Sequence, residues 1–220
     1  MGEWNSSLFS LVDGTNMFDN CTNLTSFNSD LSSLENGDGM FWGCGLTSFT
    51  KDLPLLYEGS YMFGLCDNLT TFNSDLSSLE TAHCMFYDCD ELKDFNSNLS
   101  SLTNGSYMFN SCSSLTSFEV DLTSIENGYG MFAGCINLTS FTSDLSSLEN
   151  GMFMFASSAL KSFSCDLPLL YEGSYMFSNC KLEHFEGDLS SLESGWGMFG
   201  YCNLDKDSVL SIADSINTVH

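Results

Sequence analysis

Apolar residues in this chain follow neither a sustained alternation nor a sustained helical period; they recur in a block. Cys21 through Gly43 reads Cys-x-x-Leu-Thr-Ser-Phe-x-Ser-Asp-Leu-Ser-Ser-Leu-Glu-Asn-Gly-x-x-Met-Phe-x-x, with apolar side chains at Cys21, Leu24, Phe27, Leu31, Leu34, Met40 and Phe41. The Met-Phe pair returns at Met17, Met40, Met62, Met85, Met108, Met131, Met154, Met176 and Met198, in steps of 22 or 23 residues. The one-residue difference sits at one corner, where Cys66 to Leu69 is a residue longer than Cys44 to Leu46. Such self-similarity marks a repeat solenoid. One unit is too small to offset the entropy of ordering it, so each must share its apolar face with its neighbours.

Within the unit, Leu24-Thr25-Ser26-Phe27-Asn28-Ser29 is the best strand, closed by Asp30. Gly37, Gly59, Gly105, Gly128, Gly151, Gly173 and Gly195 share one position, which predicts either positive φ or close backbone approach. Met-Phe-x-x-Cys then reads as a short helical or 3₁₀ turn on the opposite side. The pattern predicts an α/β repeat solenoid: a leucine-rich-repeat array with a parallel β-ladder on one face and short helical/3₁₀ turns on the other. Residues 1–204 form the solenoid. Residues 5–16 match only the second half of a unit, with Leu8, Leu11 and Gly14 where Leu31, Leu34 and Gly37 stand, so the N-terminal unit is expected to be partial and uncapped. Residues 205–220 carry a Val209, Ile212, Ala213, Ile216 stripe and predict a capping helix laid with that stripe on the last rung.

The combination of Cys-x-x-Leu-x-x-Phe, a glycine ten residues later and a closing Met-Phe-x-x-Cys, as at Met108 to Cys112, resembles the BspA-type (Treponema pallidum-type) leucine-rich repeat surface proteins. The likeness covers residues 5 to about 204 and departs from the family pattern after the strand, where Ser29-Asp30 replaces a hydrophobe followed by proline. The resemblance implies an extracellular or cell-surface, non-catalytic module that adheres to host protein or glycan through its solenoid face. A structural spacer, or a self-assembling array without a specific ligand, is the competing reading.

Charge narrows the partners. Asp and Glu number 29 against five lysines, for a net charge of −24. Nucleic acid is an unlikely partner, because phosphate neutralisation needs the missing cations. An anionic membrane surface would be repelled, and neither a membrane-spanning run nor a signal peptide is visible. End-to-end self-association through the N-terminal rung is expected of a spacer.

Repetition places chemistry-bearing residues in columns. Cys21, Cys44, Cys66, Cys89, Cys112, Cys135, Cys180 and Cys202 form one, with Ser158 in the remaining rung. A ladder of buried reduced thiols explains it better than disulfides or a metal; Cys84 and Cys165, off the ladder, are the better candidates for reactivity. Asp30, Asp52, Asp75, Asp121, Asp144, Asp166 and Asp188 form another, with Asn98 as exception. A calcium ladder is the sharper reading and backbone capping the favoured one. Asn28, Asn73, Asp94, Asn96, Glu119, His184 and Glu186 lie on the predicted outward strand face and are the candidate binding residues. Aromatics at Trp42, Tyr57, Tyr61, Tyr87, Tyr107, Tyr129, Phe153, Tyr171, Tyr175 and Trp196 suggest either a binding rim or packing between corners. No Ser/His/Asp or Cys/His arrangement supports catalysis, and no cofactor is expected.

Overall fold

In each rung the apolar positions turn inward and meet their copies above and below. The computed structural model describes residues 2–4 and 6–217. Its short strands are β1 (Gly2–Trp4), β2 (Leu24–Phe27), β3 (Ser48–Phe49), β4 (Thr71–Phe72), β5 (Asp94–Phe95), β6 (Ser117–Phe118), β7 (Ser140–Phe141), β8 (Ser162–Ser164) and β9 (His184–Glu186), followed by helix α1 (Lys206–Asn217). They are parallel and shorter than the strand read from the sequence. They also fall into four separate sheets: β1-β2, β3-β4-β5, β6-β7 and β8-β9.

A second ladder lies on the far side and is unbroken. Single parallel bridges join Asp13, Asn36, Glu58, Thr81, Asn104, Asn127, Asn150, Glu172 and Ser194 in sequence. The Gly-x-x-Met-Phe corner that follows is a run of linked turns in which alternate N–H groups bond within the rung and to the next one. Met40 N–H donates to Gly37 C=O at 3.0 Å and Phe41 N–H to Met62 C=O at 2.8 Å; Trp42 and Gly43 repeat the pair. The expected 3₁₀ turn therefore takes a different form, because a helix would spend every N–H inside its own rung. Two residues per corner adopt positive φ, such as Tyr61 and Leu65 or Gly130 and Gly134. The glycine column itself does not have positive φ. It serves close approach instead: a Cβ on Gly37 would lie 2.8 Å from Met62 Sδ.

The core is one continuous stack. Phe41, Phe63, Phe86, Phe109, Phe132, Phe155 and Phe177 lie nearly parallel at centroid spacings of 5.4–5.6 Å, and each meets a strand phenylalanine edge-on. Offset and T-shaped contacts of this kind add to the burial of large rings.

Both ends differ from expectation. Trp4 pairs in register with Phe27, so the first rung carries its strand half and does not begin mid-unit; Asn5 lies outside the described residues. At the other end α1 docks through a different face. Ser208 Oγ accepts the Phe185 N–H at 2.8 Å and Ser215 Oγ accepts the Leu189 N–H at 2.6 Å. Ile212 packs on the core, whereas Val209 and Ile216 of the predicted inward stripe are exposed. An unpaired buried N–H costs more than an exposed methyl group saves, and that difference fixes the rotation of the helix. Asp205 caps it, accepting Ser208 N–H at 2.7 Å. Residues 218–220 of the predicted cap lie outside the described residues.

Candidate functional site

The cysteine and aspartate columns are engaged in contacts that hold the rungs together. Each ladder thiol donates to the carbonyl of the Met-Phe phenylalanine in the preceding rung: Cys44 Sγ to Phe18 at 3.1 Å, Cys66 to Phe41 at 3.2 Å, Cys89 to Phe63 and Cys112 to Phe86 at 3.1 Å, with Cys135, Cys180 and Cys202 alike. Ser158 keeps polar contact at its rung, 3.2 Å from Cys180 Sγ. Burial pushes the Cys44 and Cys135 thiols up to about 12 and Cys180 to about 11. All ten cysteines are free. This hydrogen-bonding role was invisible in the sequence, which suggested packing alone. Cys21 departs from the ladder by being exposed. The two off-ladder cysteines are not activated: burial raises Cys84 to about 11 and also raises Cys165, whose Sγ donates to Ser143 C=O.

The aspartate column caps backbone. Asp30, Asp75, Asp121, Asp144 and Asp188, with Asn98, accept the N–H two residues on at 2.7–3.0 Å. At Asp52 and Asp166 that residue is proline, which has no N–H. Those carboxylates bond instead to the Asp75 and Asp188 N–H groups of the next rung. Among the described residues no three His, Cys, Asp or Glu side chains are placed to hold a metal ion. A second capping column, Asp13, Asn36, Glu58, Asn104, Asn127, Asn150 and Glu172, went unrecognised in the sequence, although an Asx or Glu directly before the corner glycine was its signal.

On the corner edge Trp42, Tyr61, His83, Tyr107, Tyr129, Phe153, Tyr175 and Trp196 make a continuous row of rings 4.9–6.0 Å apart. The rings cover one another, so packing accounts for most of the row; burial, then the bond to Tyr129, pushes Tyr107 up to about 12.

That leaves the strand face. Between β5 and β6, as at β2/β3 and β7/β8, the ladder is open: the bonds that join the paired rungs, such as Thr142 N–H to Phe118 C=O, have no counterpart from Glu119 to Phe95 among the described residues. A cleft of about 270 Å³ opens there, lined by Lys93, Asp94, Phe95, Asn96, Ser117, Glu119 and Val120. Phe95 is half-buried, whereas the strand phenylalanines of neighbouring rungs are buried. Lys93, itself on the lining, has its Nζ 3.6 Å from Oε2 of Glu91, which is not. Three candidate residues, Asp94, Asn96 and Glu119, thus come together. His184 and Glu186 share a smaller hollow with Asp207 and Ser211 of α1, where His184 Nδ1 lies 3.2 Å from Asp205 Oδ2. Asn28 lies apart beside Thr50 and Lys51, and Asn73 is exposed, its N–H bonded to Phe49 C=O. The sequence signal for the cleft was Val120, standing where Ser74, Ser97 and Ser143 stand.

No helix among the described residues is long and apolar enough to cross a membrane. No curated protein matches this chain. A crystal structure of a leucine-rich repeat protein from Bacteroides ovatus ATCC 8483 is similar at 18% identity over 100% of this chain and 83% of that one, with a TM-score of 0.35. The BspA type leucine rich repeat region matches in six copies across residues 14–104 and 80–205. With this match over its period, its cysteine corner and its parallel rungs, the chain belongs to the BspA-type leucine-rich repeat family.

Proposed function

We propose that this repeat module is a non-catalytic binding array that works at a cell surface, engaging a host protein or glycan through its strand face. The observation that carries this reading is the cleft between β5 and β6, where Asp94, Asn96 and Glu119, with Lys93, line a partly exposed aromatic ring. A buried ring edge supplies contact area while carboxylates select donors and cations. The net charge of −24 would draw a basic partner to this face and speed its encounter.

The test is solid-phase binding to purified matrix proteins and glycans at about 0.05 and 0.5 M salt. The intact chain is compared with one carrying Asp94→Lys, Glu119→Lys and Glu186→Lys. Saturable, salt-weakened binding that the triple variant loses supports the reading. If neither chain binds any surface component while circular dichroism shows both folded, the spacer is the better account.

A further inference from the structure

The row of rings on the corner edge is incomplete near its N-terminal end, and the gap is a hollow of about 360 Å³. Gly39 stands in the column that Tyr61, Tyr107, Phe153 and Tyr175 occupy in other rungs. Glycine recurs in that column at Gly130 and Gly197, but there the tyrosine of the preceding rung closes the space. A Cβ on either glycine would lie 2.7–2.8 Å from the ring of Tyr107 or Tyr175. The residue preceding Gly39 in the column is Asn16, which is short and lays its Oδ1 over the glycine. Trp42 is out of the ordinary too, since its column carries Gly64, Ala133 and Ala156. Its indole leans over Gly64, where a Cβ would collide with the ring, and meets Tyr61 edge-on at 5.6 Å and 71°. Two rings therefore wall one side of the hollow.

Oxygen atoms make the other side. Asp19 and Asn20 come from the first rung and Asp38 from the second, and all three are on the lining. Asn20 Nδ2 donates to Asp19 Oδ1 at 2.8 Å, while Asn20 Oδ1 lies over Gly43. Neither asparagine oxygen accepts a hydrogen bond among the described residues. Nor does Asp19 or Asp38 have an ion-pair partner among them. Asp38 is half-buried, and that burial, then Glu58 and Asp13, raises its carboxyl above the usual value. A desolvated negative charge without a counter-ion is stabilised by any cation that can reach it.

We infer that this hollow binds a primary ammonium group, carried by a lysine side chain of a partner or by a free alkylamine. A cation is attracted to the face of an aromatic ring, and most strongly to an indole such as that of Trp42. An ammonium group has three N–H donors and no acceptor, which matches a wall of amide and carboxylate oxygens. A calcium ion takes about six to eight oxygen ligands, and the described residues hold no group of three acidic or metal-binding side chains. A sugar carries no charge to set against Asp19 and Asp38. The hollow shares no residue with the cleft between β5 and β6, so this inference stands independently of the strand-face reading.

The test follows the Trp42 indole N–H resonance of the full chain, assigned with Trp42→Phe, as butylammonium chloride is added at constant ionic strength. The expected result is a saturable shift with a dissociation constant on the order of 1–10 mM, the strength of one cation–π contact joined by a few hydrogen bonds. Tetramethylammonium, which has no N–H, should bind at least ~5-fold more weakly. Asp38→Asn should weaken butylammonium by at least ~5-fold, whereas Glu80→Gln, which removes a charge elsewhere on the acidic surface, should change it less than ~2-fold. Gly39→Tyr installs the ring that Tyr61 carries at the same positive φ and should abolish binding with unchanged circular dichroism. If the tyrosine variant does not fold, the Asp38→Asn value decides. Nα-acetyl-lysine amide separates the sources: binding tighter than butylammonium assigns a lysine side chain, and weaker binding a free amine. The proposal is overturned if no saturable shift develops by about 50 mM, or if tetramethylammonium or glucose binds as tightly as butylammonium. Equal losses in Asp38→Asn and Glu80→Gln overturn it as well.

Discussion

The corner edge and the strand face are built by the same rungs, yet one ladder is continuous and the other is broken three times. At the corner, four N–H groups per rung reach the next rung, as Gly37, Gly39, Phe41 and Gly43 do at 2.8–2.9 Å. The capping column before the glycine holds each turn in shape. At the strand face two or three residues pair where they pair at all. Rigidity therefore resides in the corner, and the strand face is free to open, as it does between β5 and β6. Binding surfaces are drawn from the less constrained parts of a scaffold.

Substituting matched residues on the two sides breaks the comparison most directly. Phe109→Ala in the corner stack should cost about 3–5 kcal/mol, whereas Phe95→Ala at the open cleft should cost about half as much, since Phe95 already keeps part of its ring in water. Urea titration of the two variants measures it, and equal losses would remove the distinction. Next in size is a valine on each side. Gly130 has φ +60°, and a Cβ there would lie 2.7 Å from the Tyr107 ring. Gly130→Val should cost about 2–3 kcal/mol through backbone strain and ring displacement. Ser140→Val in β7 should fall within about ±0.5 kcal/mol, because a β-branched residue suits a half-exposed strand.

These contrasts also explain which features could be read in advance. Period, inward residues, the cysteine and aspartate columns and the existence of a final helix all follow from side-chain identity, which repetition amplifies nine times over. The corner's hydrogen bonding did not, because the positions that need positive φ carry the usual left-handed residues in some rungs, as at Asn16 and Gly130, and Tyr61, Leu65 or Ser111, which give no such signal, in others. The rotation of α1 did not either, since amphipathicity weighs methyl groups and ignores the orphan N–H groups of Phe185 and Leu189 that Ser208 and Ser215 must meet. Of the seven candidate binding residues, three meet in one cleft and two in another. The sequence showed the outward columns and could not show where the ladder opens.

Thiol chemistry gives a smaller but cleaner separation. Corner cysteines hydrogen-bonded to the preceding rung should resist alkylation at pH 8 until the protein unfolds, with Cys112 as reporter. Cys21 is exposed and should react in the folded state. Mass spectrometry after brief labelling reads both. Rapid modification of Cys112 without unfolding would mean that the corner opens as freely as the strand face.

Acid titration should separate by sign the capping carboxylates, which include Asp13 and Glu172 at the corner, from the crowded Asp38 and Asp88. Asp30, Asp121 and Asp188, in the turn after the strand, are held below the usual 3.8; Ser32 and Thr123 backbone N–H groups are the main cause for the first two and the Ser190 side chain for the third. Asp205, capping α1, is held at about 2 chiefly by the Ser208 N–H. A depressed folded pKa contributes stability above 3.8 that is lost as pH falls through the folded value. Corner residues Asp38 and Asp88 run the other way. Burial, and then Glu58 for Asp38 and Asp90 for Asp88, raise them, so their contribution is complete below 3.8 and lost as pH rises through the folded values. Relief of self-repulsion at a net charge of −24 acts in the same sense as the corner pair. The melting temperature should therefore climb as pH falls through the folded values of Asp38 and Asp88, which lie above 3.8, and drop once pH falls below 3.8. Asp38→Asn should flatten the climb and leave the drop, while Asp188→Asn should soften the drop and leave the climb. If both variants flattened the same limb, capping and crowding would not act on different carboxylates, and the division of labour between the corner and the strand side would have to rest on hydrogen bonding alone.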